Sequence, residues 1–236
     1  MTTATDPATG FPALKALMAR MIGDEKHTGA ATSTLETLWV LYEKVLRVDP
    51  SWVEERDRFF LSKGHGPMAY YAVLAAKGFF PADELDRFGR FRSPLGLHPD
   101  RLLVPGVEIS SGSLGHGLPL AVGTALGLRI RGLSGPGDPS VWVLLGDAEL
   151  DEGSNHEAIA FAGRAGFGQL NVVVIDNASA SHGWPGGIEK RFAVEGWATA
   201  RADGRDLAAL GAAFTEDHPD RPRVVVAEVE QQLPTH

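Results

Sequence analysis

Two short apolar runs in the second half of the chain constrain its fold more than any other feature. VWVLL occupies residues 141–145 and VVVI occupies residues 172–175, and residues 152–166 between them have the pattern of a helix. Short apolar runs bounded by polar residues are typical of strands that are buried on both faces, and such strands belong to parallel sheets. The three segments therefore predict a strand–helix–strand unit with parallel strands.

The same alternation continues towards the C-terminus. WATARAD (197–203) and RVVVAEV (223–229) predict two further strands, and the residues from Arg205 to Phe214 predict a helix between them. Strands that alternate with helices indicate an α/β fold. We expect a doubly wound, mostly parallel sheet with helices on both of its faces.

The first half of the chain is predicted to be mainly helical. Helical patterns cover residues 11–22, the segment from Ser33 to Asp49, residues 67–78, the residues after Pro81, and residues 115–131. Ser33 and Glu36 have the spacing of a capping box, which predicts that a helix begins there. The first ten residues are expected to form a loose tail, and residues 11–236 a single domain.

Composition excludes several classes of protein. Thirty acidic residues against 22 basic ones give a net charge of −8, and no basic run is present that could bind nucleic-acid phosphates. The absence of cysteine excludes disulfides and thiol chemistry. The polar start MTTATDPATG is unlike a signal peptide, and apolar runs of about five residues are too short for a membrane span. We expect a soluble, cytoplasmic protein.

Polar residues stand at two of the predicted strand ends. Gly146 and Asp147 follow one apolar run, and Asn177 follows the next. Ligands of doubly wound sheets bind at the carboxyl ends of the strands. Carboxylate and amide oxygens suit Mg²⁺, and a helix that begins near Glu152 would point its N–H groups at an anion in the same crevice. These features favour a cradle for a metal-bound diphosphate. The alternative is that Asp147 caps the helix and Asn177 lies in a turn.

The dinucleotide, P-loop and nucleophile-elbow motifs are absent, but several other segments resemble one family. They are KHTGAATSTLETLWVLY (26–42), DRFFLSKGHGPMAYYAVLAAKGFF (57–80), LHPD (97–100), PGVEISSGSLGHGLPLAVGTALG (105–127), GDAELDEGSNHEA (146–158), VVVIDNAS (172–179) and EGWATARADGRDLAAL (195–210). In this order they resemble the diphosphate-binding half of transketolases. The resemblance covers roughly residues 11 to 229, and the chain length is similar to that of the family's split, two-chain form.

The resemblance implies a site for thiamine diphosphate and Mg²⁺. Asp147 and Asn177 would be the side-chain ligands of the metal, and the backbone oxygen of Ser179 would be a third. The amide of Ala148 would meet the diphosphate. The remaining cofactor-binding residues implied by the resemblance are His65, Gly112, Ser113, Leu114, Gly146 and Glu152.

Three histidines are implied to converge on the substrate and the reacting carbon, and they are His27, His65 and His98. Imidazoles can form hydrogen bonds with sugar hydroxyls and can move protons near neutral pH. The other histidines outside the matched motifs, His182, His218 and His236, are interpreted as surface residues.

The acids that follow Asp147 cannot all face a diphosphate, because like charges would repel it. The resemblance places Glu152 and Glu157 at a subunit contact. Glu149 and Asp151 are expected to face solvent or to favour the helix N-terminus.

Some positions depart from the family pattern. Ala148 stands where the family has the second glycine of GDG, and its methyl group would weaken cofactor binding if that position needs a positive φ. His116 replaces a glutamine and Thr28 a proline. The chain ends at His236, where related subunits continue to another histidine that faces the cofactor.

The leading hypothesis is one subunit of a two-chain transketolase, which transfers a two-carbon ketol unit from a ketose to an aldose. Its partner would be a separate pyrimidine-binding subunit of about 300 residues, with two copies of each chain. One alternative keeps the cofactor but changes the reaction, as in relatives of 2-oxoacid dehydrogenases or deoxyxylulose phosphate synthase. Another is a degenerate subunit that binds a partner without catalysis.

Overall fold

A computed structural model describes residues 7–24, 28–51 and 54–230, and its centre is a five-stranded sheet. All pairings in this described sheet are parallel, and the strand order is β1-β2-β3-β5-β4. The strands are β1 (Arg58–Leu61), β2 (Val141–Gly146), β3 (Leu170–Asp176), β4 (Ala198–Asp203) and β5 (Arg223–Glu228). The predicted parallel α/β sheet is therefore confirmed.

Helices cover both faces of the sheet. They are α1 (Pro7–Met18), α2 (Thr28–Thr32), α3 (Leu35–Val40), α4 (Pro67–Ala76), α5 (Gly117–Ile130), α6 (Gly153–Ala165), α7 (Ile188–Ala193) and α8 (Leu207–Thr215). A π-helical turn (Leu41–Val45) continues α3, and a 3-10 helix (Ala82–Arg87) follows α4. None of the helices in the described ranges is long and apolar enough to cross a membrane.

Two hydrophobic cores lie on opposite faces of the sheet because successive side chains of a strand point to opposite faces. In β2, Trp142 and Leu144 belong to the core beneath α1, α3, α4 and α8. Val143 and Leu145 belong to the core beneath α5, α6 and α7. The continuous apolar runs of the central strands therefore follow from the need to fill both cores.

The predicted helices are found, but two details near the N-terminus are wrong. The first helix begins at Pro7, so the loose tail does not extend to residue 10. The capping box is not formed, because Ser33 follows α2 directly and its hydroxyl donates to the carbonyl of Ala30 at 2.8 Å. Glu36 instead accepts a hydrogen bond from Arg205 at 2.7 Å.

The sequence patterns did not predict β1 or α7, and β1 is the more important omission for function. Its four residues, RFFL, pair with β2, with Leu61 opposite Leu144. β1 therefore brings the SKGHG segment that follows it to the carboxyl edge of the sheet, beside the ends of β2 and β3.

Candidate functional site

Three strand ends meet at the carboxyl edge of the sheet and surround a cavity of about 230 Å³. β2 and β3 are neighbours, with Gly146 opposite Ile175, so the predicted juxtaposition of Asp147 and Asn177 is confirmed. The residues that line the cavity are Ala30, Lys63, Gly64, His65, Leu114, Gly146, Ala148, Glu149, Asn177 and Ser179. They come from segments that are far apart in the sequence.

Asp147 is buried at the tip of β2, and its carboxylate binds the loop that follows β3. It accepts hydrogen bonds from the Ser179 N–H at 2.6 Å, the Ser179 hydroxyl at 2.5 Å and the Ala180 N–H at 3.0 Å. The side chain forms no capping hydrogen bond to the 3-10 turn that begins after it. The alternative interpretation, in which Asp147 is a helix cap, is therefore wrong.

Asn177 has a side-chain oxygen that is buried and has no hydrogen-bond partner among the described residues. Buried polar atoms are normally satisfied, so an unsatisfied oxygen that lines a cavity indicates that something else binds there. The next residue, Ala178, has a φ of 54°, which is uncommon for a residue other than glycine. This backbone turn lies between Asn177 and Ser179, the residue that binds Asp147.

Glu149 is buried, contrary to expectation. The sequence predicts that it faces solvent or favours the helix N-terminus, but its exposed fraction is only 1%. Its carboxylate accepts hydrogen bonds from the Ser62 hydroxyl and from the Gly115 N–H, the latter at 3.0 Å. Burial raises its pKa, although these hydrogen bonds act in the opposite direction. Glu149 thus joins the ends of β1 and β2 to the 112–117 loop.

Ser62 completes this connection, because its hydroxyl oxygen also accepts a hydrogen bond from the Gly117 N–H at 3.0 Å. Gly117 is the first residue of α5. The start of α5 is therefore fixed to β1 through a buried serine and a buried glutamate. Sequence patterns contain little sign of this connection, since glutamate is rarely buried and the contact depends on loops that are distant along the chain.

Lys63 is another cavity residue that the sequence patterns did not indicate. It is 8% exposed, and its ammonium donates to the Ala30 carbonyl at 3.2 Å. Its aliphatic stem lies over Gly146, where an added Cβ would be 3.6 Å from Cε. Burial lowers the pKa of Lys63 to about 8, against the opposing effect of Asp147 and Glu149. Its position between Ser62 and His65 in SKGHG was the available signal.

His65 and His98 are brought together as predicted, with 6.1 Å between their ring centroids. Both are exposed at the mouth of the site. Gly112 packs against His98 with a φ of +123°, and a Cβ there would come within 2.8 Å of His98 Cδ2. Gly64 lies equally close to the Gly112 backbone. The predicted His27 lies outside the described residues.

Ser113, Leu114 and Glu152 lie around the same loop. Ser113 and Leu114 follow Gly112 and are exposed, and Leu114 also lines the cavity. Glu152 is exposed at the start of α6, and its Cβ would be 2.8 Å from an added Cβ at Gly115. The predicted start of a helix near Glu152 is confirmed.

Ala148 does not have the conformation that would make the missing glycine costly. It lies in a 3-10 turn, Ala148–Asp151, and is not among the described residues with a positive φ. The backbone at this position therefore gives no reason to regard the site as degenerate.

The remaining histidines lie away from this cavity. His182 is exposed, as predicted, but His218 is half-buried, with its Nδ1 atom 2.8 Å from the Arg221 carbonyl oxygen. His236 lies outside the described residues.

Solved structures with the same fold are transketolases. The enzyme of Leishmania mexicana has a TM-score of 0.82 and 27% sequence identity, over 96% of this chain and 37% of that one. The enzyme of Campylobacter jejuni subsp. jejuni NCTC 11168 has a TM-score of 0.84 and 25% identity, over 94% of this chain and 37% of that one. The fold is that of thiamine diphosphate-binding domains.

Residues 13–230 match the family model described as "Transketolase, thiamine diphosphate binding domain". The chain therefore belongs to the transketolase family. One separately encoded subunit of the apulose-4-phosphate transketolase of Actinobacillus succinogenes is 36% identical over 210 residues, which cover 85% of this chain and 75% of that subunit. Transketolase 2 of Xanthobacter flavus is 40% identical, but the match covers only 32% of its length.

A protein of Rhodococcoides fascians named Ferredoxin fas2 is 57% identical over 221 residues, which cover 93% of this chain and 72% of that protein. The present chain has no cysteine, so it has no thiolates to hold a ferredoxin cluster. The chain thus spans about a third of the Xanthobacter flavus transketolase and most of the Actinobacillus succinogenes subunit.

Proposed function

We propose that this chain is the thiamine diphosphate- and Mg²⁺-binding subunit of a two-chain transketolase. The observation that carries the proposal is the buried, unsatisfied Asn177 oxygen beside Asp147, in a cavity at the carboxyl edge of the sheet. The match to one subunit of a relative, over most of that subunit's length, supports the two-chain arrangement.

The donor set fits Mg²⁺. Asn177 offers a free amide oxygen, and a carboxylate oxygen that accepts one or two hydrogen bonds can still bind a cation. Asp147, Asn177 and the backbone oxygen of Ser179 would hold the metal, whose charge would offset that of the diphosphate. Described residues include no cluster of three His, Cys, Asp or Glu side chains for a metal, which agrees with a site completed by amide, backbone and ligand oxygens.

Each part of the chain then has a task. Gly146, Ala148 and the 112–114 loop would enclose the diphosphate, and Glu149 and Ser62 hold that loop in place. His65 and His98, at the mouth, would bind sugar hydroxyls and move protons to and from oxygen atoms of the substrate. Thiamine diphosphate, when bound, supplies the carbanion-stabilising chemistry.

The substrates that this proposal requires are a ketose donor and an aldose acceptor, as sugars or sugar phosphates. Relatives named for apulose-4-phosphate and for 6-deoxy-6-sulfo-D-fructose support a specialised sugar. His116, exposed at the start of α5, is the residue at which this chain departs from the family's glutamine, and it would contact such a substrate.

A partner would cover the outer faces of α5 and α6. Leu120, Ile130 and Phe161 have exposed fractions of 49%, 77% and 49%. Gly123 and Gly127, on the same side of α5, have open space where a side chain would be. Exposed apolar residues on two contacting helices are characteristic of an interface. We therefore propose an assembly with a pyrimidine-binding chain, two copies of each, in which Glu152 and Glu157 lie at the contact.

The test is reconstitution. The full chain is purified alone and with a pyrimidine-binding transketolase chain encoded beside it, and each preparation receives thiamine diphosphate, Mg²⁺ and a panel of ketose phosphates. Ketol transfer by the pair, with none by the single chain, supports the proposal. Equal turnover by the single chain would refute the two-chain arrangement, and calorimetry that detects no cofactor binding to the pair would refute the site.

A further inference from the structure

Lys63 is a buried cation to which the proposed function gives no task. The ammonium has one hydrogen-bond acceptor, the neutral Ala30 carbonyl, and forms no ion pair with a carboxylate of the described residues. Burying an ammonium without a counter-ion is unfavourable. A charge held in this way, at the wall of a cavity, favours an anion as the missing partner.

The two nearest acids are engaged elsewhere. Asp147 binds Ser179 and Ala180, and Glu149 binds Ser62 and Gly115. With both carboxylates charged, the inner wall of the cavity would repel an incoming diphosphate. Lys63 lies on the same wall, with its stem over Gly146, and would reduce that repulsion.

We propose that the Lys63 ammonium binds a non-bridging oxygen of the cofactor's diphosphate directly. The proposal rests on the proposed function, because that function defines the anion. The phosphate of a sugar substrate is the other possible anion. The diphosphate is favoured because Lys63 lines the cavity together with Asn177 and Ser179, whereas His65 and His98 at the mouth are exposed.

The experiment measures ligand binding rather than turnover. Wild-type chain, Lys63→Met and Lys63→Gln are titrated calorimetrically with thiamine diphosphate, inorganic pyrophosphate and a ketose monophosphate, each with Mg²⁺. The same titrations are made on the assembled pair if the chain purifies with a partner. Lys15→Met, on the exposed surface of α1, is the matched control.

We expect both Lys63 variants to bind thiamine diphosphate and pyrophosphate about 10- to 100-fold more weakly, as for loss of a charged hydrogen bond. The control and the monophosphate affinity should not change. Lys63→Met should melt no lower than wild type without ligand, because it removes an unpaired buried charge. Lys63→Gln keeps a donor for Ala30 and replaces the Met variant if that one does not fold.

The outcomes separate the two proposals. Unchanged pyrophosphate and thiamine diphosphate affinity in the Lys63 variants overturns the role of Lys63 but leaves the proposed function standing. Weaker binding of the sugar phosphate alone overturns the assignment to the diphosphate. Loss of pyrophosphate binding in the variants, with wild type preferring pyrophosphate to thiamine diphosphate, supports the Lys63 contact and refutes the proposed cofactor. A wild-type chain that binds no diphosphate refutes both.

Discussion

Asp147 and Ser179 are joined by two hydrogen bonds, one from the backbone N–H and one from the hydroxyl of the serine. This pair connects the end of β2 to the loop after β3 and sets the position of Asn177 between them. A carboxylate that organises the loop and a free amide oxygen in that loop form one unit. Changes to Asp147 should therefore affect ligand binding through both charge and loop position.

Asp147→Asn is expected to lower the affinity for thiamine diphosphate with Mg²⁺ at least about 100-fold, more than is typical for loss of a residue that only orients metal ligands. The substitution keeps the shape of the side chain, so circular dichroism should show an unchanged fold. Calorimetry measures the affinity, with Asp151→Asn as the control. Wild-type affinity in the Asp147 variant would show that the metal site lies elsewhere.

His98→Ala is expected to reduce the turnover of the assembled enzyme by about 100-fold or more, as for loss of a general acid or base. Cofactor affinity should stay at the wild-type value, whereas His65→Ala should change both. Steady-state kinetics and calorimetry on the same preparations separate the effects, with His182→Ala as the control. Unchanged turnover in the His98 variant contradicts a substrate role, and His27→Ala is tested in the same way.

Ala148→Gly is expected to leave cofactor affinity within about twofold of wild type, because the backbone at Ala148 does not require glycine. The unfolding free energy should fall by up to about 1 kcal/mol, since glycine increases the entropy of the unfolded chain. Calorimetry and urea titration provide the two values. A large gain in affinity would mean that the alanine methyl group obstructs the diphosphate.

Ala178→Gly is expected to raise the unfolding free energy by about 1 kcal/mol, because alanine is strained at a φ of 54° and glycine is not. Ala180→Gly, at a nearby residue without a positive φ, should lower it instead. Urea titration of the two variants gives the comparison. If both substitutions destabilise the chain equally, the left-handed turn at residue 178 is absent in solution.

His218 is expected to make the chain less stable at acidic pH. Burial is the main cause that lowers its pKa from the ordinary 6.5, so the folded chain binds this proton less tightly than the unfolded chain does. The contribution to stability is present above pH 6.5 and is lost as the pH falls below it. His218→Gln should therefore lose less stability than wild type between pH 8 and pH 5 in urea titrations. An identical loss in both proteins would contradict this assignment.

Local sequence patterns were enough to predict the fold and half of the site. Apolar runs identified the buried parallel strands, and the rule that ligands bind at carboxyl ends brought Asp147 and Asn177 together. Glu149 and Lys63 were not predicted as buried, because their burial depends on the 112–117 loop and on Ala30, which come from distant parts of the chain. β1 was missed because four apolar and basic residues have no distinctive period.

The parallel sheet also determines when the site can form. Leu61 pairs with Leu144, which is 83 positions later in the chain, and the other walls of the cavity come from residues 30, 114 and 177. Contacts between such distant residues form slowly during folding, because each closes a long loop. The cavity thus exists only after most of the polypeptide has folded. A ligand that binds there binds the native state alone, so it should slow global unfolding and protect all five strands from hydrogen exchange together.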